Sequence, residues 1–84
     1  MKLDSKSNFG SRLRLMRRIR LLTQMELAEK LGVSVSAVSQ WEKGVSYPLP
    51  THLQGLCNVL GVSPKFMLAG EDEKEIGKEA ANAY

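Results

Sequence analysis

Between residues 23 and 44 the chain carries two complete sets of helix start and stop signals in immediate succession, and few folds accommodate that. Thr23 followed three positions later by Glu26 is a capping box, in which each side chain satisfies an orphan backbone N–H near the other. It opens a helix over Gln24–Leu31. Gly32 supplies the positive φ that ends a helix at little steric cost, and Ser34 is a good N-cap for a second helix over residues 35–43, which Gly44 closes. Two short helices therefore meet at a tight turn. A steep crossing there needs a small side chain on the first helix and a glycine in the turn, and Ala28 and Gly32 meet those needs. Helical phase then sends Leu27, Leu31, Val33, Val38 and Trp41 inward and leaves Val35, Ser36, Ser39, Gln40 and Lys43 outward.

The flanking segments read as three more helices. Phe9, Leu13, Met16 and Ile19 or Arg20 recur at helical spacing and predict a helix over residues 9–21, preceded by a polar arm without periodicity, residues 1–8. Pro48 and Pro50 force an extended loop over residues 45–50. A helix over residues 51–60 follows, with Leu53, Leu56, Cys57 and Leu60 on one face, and Gly61 stops it. Ser63 and Pro64 are N-cap and first-turn proline for a short fifth helix that ends before Gly70. Residues 71–84 lack an apolar stripe and read as linker or tail. No segment alternates as a strand does, so the expected class is all-α, one domain over residues 9–70.

Composition narrows the function. At 84 residues, 43% apolar and 25% charged, the chain has the balance of a single globular domain. One cysteine, Cys57, and one histidine, His52, provide neither a disulfide framework nor a four-ligand zinc site, and point to a reducing compartment. No apolar run approaches the roughly 20 residues of a membrane span, and the N-terminus has no signal-peptide stretch. Glycine-rich phosphate loops, Cys–His pairs and carboxylate clusters outside the tail are lacking, so no catalytic residue, metal, cofactor or small-molecule ligand is expected. Charge is uneven: residues 1–43 hold nine Lys/Arg against four Asp/Glu, and residues 44–84 hold three against five. A basic half is consistent with a polyanionic partner, or with a merely solvated helix face. The outward residues of the helix over residues 35–43 are short, polar or basic, which suits entry into a DNA major groove about 8.5 Å deep.

At this point the sequence resembles the helix-turn-helix repressors of the lambdoid phages, the repressor and Cro family. The matching elements are Leu13-Arg14-x-Met16-Arg17, Leu22-Thr23-Gln24, Leu27-Ala28, Leu31-Gly32-Val33-Ser34, Val38-Ser39-Gln40-Trp41-Glu42-Lys43-Gly44, Pro48 and Leu68-x-Gly70. The resemblance implies a five-helix, lambda-repressor-like DNA-binding domain that represses transcription from a two-fold symmetric double-stranded operator. It would do so as a homodimer in the bacterial host cytoplasm, at the nucleoid. Val35, Ser36, Ser39 and Gln40 look like the family's base-reading positions, Gln40 having a phosphate contact as its alternative. Related repressors often carry Gln or Asn at the place of Val35, which can only pack against thymine methyls. Gln24 looks like the family's phosphate-contacting residue, and Arg12, Arg14, Arg18, Arg20, Ser34 and Lys43 are further phosphate candidates. Arg17 and Glu42 resemble a family ion pair between the first and third helices, with one more phosphate contact as the other role open to Arg17. Pro64, Lys65 and Met67 lie where the family's fifth helix meets its twofold mate. Trp41 and Cys57 read as core residues, and His52 has no evident partner. Glu26 and Glu29 are either solvated or an acidic patch of the kind activators use. Whether such a chain continues past Tyr84 into a further domain, or is a Cro-like regulator, the residues leave open. The competing class is an antitoxin-like module whose main partner is a protein.

Overall fold

The computed structural model describes residues 6–70 and consists, over that range, of five α-helices. These are α1 (Lys6–Ile19), α2 (Gln24–Leu31), α3 (Val35–Glu42), α4 (Pro50–Leu60) and α5 (Pro64–Ala69). The all-helical class and the number of helices expected from the sequence are both observed. Boundaries differ at four places, one of them the end of α1, at Ile19 and not at Leu21. α1 starts one turn early, at Lys6, so residues 6–8 are helical and not part of an arm. α3 ends at Glu42 with Lys43 as its C-cap, and α4 starts on Pro50, whose fixed φ and missing N–H suit a first helical position. The expected arm before Lys6 and the tail over residues 71–84 lie outside the described residues.

The local signals form as their chemistry requires. Glu26 N donates to Thr23 Oγ1 at 3.0 Å and Thr23 N donates to Glu26 Oε1 at 2.8 Å. The Thr23 backbone and hydroxyl hold the Glu26 carboxyl below the usual carboxylate range. Ser34 Oγ accepts from Ala37 N at 3.1 Å, and Ser63 Oγ accepts from Phe66 N at 3.0 Å. α1 has no such stop signal, yet it closes as a Schellman motif. Leu22 N donates to Arg17 O and Leu21 N to Arg18 O, at 3.1 and 2.9 Å. Leu21 therefore sits at φ 59°, the one non-glycine residue with positive φ among those described. Its side chain is 88% exposed, so the strain is offset by no burial. A left-handed L-residue costs about 1–2 kcal/mol, while glycine costs about 0.5–1 kcal/mol more entropy to order. Leu21→Gly is thus expected to raise the unfolding free energy by about 0.5–1 kcal/mol, seen as a higher urea midpoint at unchanged slope.

Phe9, Leu13, Leu27, Val38, Leu56, Leu60 and Met67 are fully buried, and Trp41 and Cys57 nearly so. Burial pushes the Cys57 thiol up from its ordinary pKa, which keeps it protonated and unreactive. α3 packs against both α1 and α2, α1 also packs against α5, and α4 bridges α2 and α5. The α1–α3 crossing is unusually close. A Cβ on Gly10 would meet Glu42 O and sit 2.6 Å from Trp41 O, so only hydrogen at this place lets the two backbones touch. The position of α3 relative to the rest of the domain is set there.

Candidate nucleic-acid interface

The outer side of α3 carries Val35, Ser36, Ser39 and Gln40. Val35, Ser36 and Gln40 are exposed and Ser39 is half-buried, while Val38 and Trp41 on the opposite side anchor the helix in the core. Val35 is 44% exposed, leaving an aliphatic tip free at the N-terminal end of the helix.

A network of hydrogen bonds fixes the other end of α3. Arg17 Nε donates to Glu42 Oε2 at 2.6 Å and Arg17 Nη2 to Glu42 Oε1 at 3.0 Å, a two-pronged ion pair from α1 to α3. Arg17 Nη1 also donates to Leu22 O at 2.7 Å, at the α1–α2 turn. The two charged side chains are only 10% and 3% exposed. The Glu42 hydrogen bond outweighs desolvation and raises the Arg17 pKa above its ordinary value. Gln24 joins the network, donating from Nε2 to Glu42 Oε1 at 3.1 Å. Three helices are thus tied together at one carboxylate. Gln24 keeps a second amide hydrogen, which leaves it able to donate to a phosphate as well.

Beside this network opens a shallow cleft of about 260 Å³ lined by Arg14, Arg17, Gln24, Ser39, Glu42 and Lys43. Because Glu42 is already neutralised by Arg17, the exposed cations Arg14 and Lys43 give the cleft its net positive character. Arg18 lies one turn further along α1 on the same side as Arg14, and is exposed. Ser34 uses its oxygen as N-cap acceptor and retains a hydroxyl hydrogen.

Two of the arginines read from the sequence as phosphate candidates are engaged elsewhere. Arg12 donates from Nε and Nη2 to Met67 O, at 3.2 and 3.1 Å, and Arg20 Nε donates to Leu60 O at 2.9 Å. The last turns of α4 and α5 carry no basic residue of their own, so their orphan carbonyls take donors from α1. Met67 is likewise no surface residue: it is fully buried, which removes it from any dimer contact and leaves Pro64 and Lys65 exposed there. His52, without an evident partner in the sequence, lies beside Trp41, with ring centroids 5.9 Å apart. The sequence also held no sign of Gly10 as a contact point, beyond the presence of a poor helix former in mid-helix.

Arg12→Met is expected to cost about 1.5–3 kcal/mol of stability, the range for hydrogen bonds to a charged group. Arg14→Met is expected to cost almost none. Denaturation of the two variants side by side checks this, and equal losses would mean that Arg12 is not a tie.

The helix-turn-helix family model matches residues 13–67, most of the described domain. The chain belongs to the helix-turn-helix family. Among curated members it is 41% identical over 66 residues to the HTH-type transcriptional regulator DicA of Escherichia coli K12, covering 79% of this chain and 49% of DicA. The chain thus spans about half the length of that relative. The helix-turn-helix domain also superposes on the P22 c2 repressor crystallised with synthetic operator 9T. The TM-score is 0.72 at 35% identity, over 74% of this chain and 94% of that one. The DNA complex of the biofilm regulator SinR matches with TM-score 0.66 and 32% identity, over 70% and 95% of the two chains. The likeness to phage repressors read from the sequence, and the fold it implied, are borne out.

Proposed function

We propose that the protein is a transcriptional repressor that binds a two-fold symmetric double-stranded DNA operator as a homodimer, with α3 in the major groove. The observation that carries this reading is the outward side of α3, polar and held rigidly by the Arg17–Glu42–Gln24 network, directly beside a basic cleft. A helix held in this way presents side chains to base edges, while the flanking cations meet the phosphates. In this reading Val35, Ser36, Ser39 and Gln40 read bases. Gln24, Arg14, Arg18, Ser34 and Lys43 contact the backbone, and Pro64 and Lys65 lie towards the twofold mate. The kinship with the P22 c2 repressor and SinR, both solved on DNA, supports it. One recognition helix reads too few base pairs to mark a unique site, which is the physical reason for pairing two domains. The place of action would be the bacterial chromosome or phage DNA in the host cytoplasm. Among the described residues, no helix is long and apolar enough to cross a membrane.

The test is selection of random duplex DNA by the purified protein, followed by titration of the selected sequence at several salt concentrations. Expected are half-sites about 34 Å apart and an affinity that falls steeply with salt, by about 0.9 log units per log unit of salt for each phosphate neutralised. Binding without sequence preference would overturn the reading. Val35→Asn is expected to replace a thymine preference by an adenine preference at one position of each half-site, because an amide offers adenine two hydrogen bonds and valine offers methyl contact only. An unchanged selected sequence would remove Val35 from the reading side.

A further inference from the structure

On the other side of α1 lies a second opening, a groove of about 330 Å³ with apolar walls. Leu15 and Ile19 of α1, Val62 of the α4–α5 turn and Phe66 of α5 line it, with Arg20 at its margin. Leu15 and Ile19 are each 56% exposed, although their large aliphatic side chains favour burial. The groove shares no residue with the basic cleft. Ile19 follows Arg14 by five positions, which at 3.6 residues per turn sets it about 140° further round the helix. DNA on the α3 side would therefore leave this apolar surface uncovered.

The charges of the chain indicate what covers it. Residues 6–70 hold nine of the twelve Lys/Arg but only three acids, Glu26, Glu29 and Glu42, and none of the three lines the groove. Residues 71–84 hold five acids against two lysines, and Ile76 as their one large aliphatic side chain. That segment leaves α5 at Gly70, whose φ of 68° turns the chain out of the helix. Phe66 stands about 6 Å back along α5 from Gly70, and the six residues from Gly70 to Ile76 reach up to about 20 Å.

We propose that the groove is the docking site of the chain's own acidic segment, residues 71–84, with Ile76 seated among Leu15, Ile19 and Phe66 and the neighbouring carboxylates facing Arg20. Arg20 spends one N–H on Leu60 O and has others to offer. The segment covers apolar surface that would otherwise invite self-association, and leaves the basic cleft open.

Methyl NMR on the full chain without DNA tests this. Expected in the parent protein are through-space contacts between the Ile76 methyls and the Phe66 ring. In Ile76→Asp the Leu15 and Ile19 methyl signals are expected to shift clear of their line widths, while the Leu13 and Val38 methyls of the core stay in place. Ile76→Leu should retain the parent spectrum. Unmoved Leu15 and Ile19 signals in Ile76→Asp would overturn the proposal. So would shifts of those signals on dilution of the parent protein, since they would assign the groove to a second copy of the chain.

Discussion

Arg17→Met is expected to lower the unfolding free energy by about 3–5 kcal/mol, and Glu42→Leu by a similar amount, because each leaves the other charge buried without its partner. The Glu42 carboxylate is 3% exposed, so water does not replace the lost guanidinium. Set against a typical domain stability of about 5–15 kcal/mol, either loss brings the folded state close to its limit. The double variant should recover much of it, since an apolar pair strands no charge. Urea denaturation of both single variants and the double one decides the matter. Losses that simply add would mean that the two side chains act independently, against the geometry seen here. Part of the coupling reaches Gln24, which shares Oε1 of Glu42, so the double variant should also bind DNA less tightly than its stability alone implies.

Gly10→Ala is the second large effect, and its sign decides between two causes. By helix propensity alone, alanine in mid-helix gains about 1 kcal/mol over glycine. The tertiary contact opposes this. The new methyl would sit 2.6 Å from Trp41 O and 2.8 Å from the Glu42 carbonyl carbon, both backbone atoms that no rotamer change moves aside. Overpacking of this kind costs typically about 1–3 kcal/mol, and contact with rigid backbone belongs at the upper end. The expected net result is a loss of about 2 kcal/mol, read from the urea midpoint. A gain in stability would show that α1 and α3 separate without strain. Because the contact is with α3 itself, the residual folded protein should also show weaker operator binding, as the recognition helix is pushed out of position.

Much of the domain was legible in the sequence because its determinants are local. Thr23, Glu26, Gly32, Ser34 and Ser63 act on backbone groups within a few positions, so their signals survive in one dimension. The periodicity of Phe9, Leu13, Leu27, Val38 and Leu56 named the buried side of each helix for the same reason. Arg17 and Glu42 were recognisable through resemblance, not through any local rule. The roles of Arg12 and Arg20 were not legible at all: both look like solvated cations on a basic helix until α4 and α5 bring carbonyls to them. Met67 misled in the opposite way, since a six-residue helix is too short for its periodicity to tell inside from outside.

Five helices, the turn that sets α2 against α3, and the set of side chains that α3 turns outward can all be read along the chain. Each follows from hydrogen bonds and rotations counted in a few residues. Which cations stand beside α3 and which donate to carbonyls of other helices depends on the packing of the folded domain. That packing alone decided how closely α1 approaches α3. Those choices depend on atoms brought together across 32 positions for Gly10 and Glu42, and across 55 for Arg12 and Met67. No propensity or pattern along the chain records a distance of that kind.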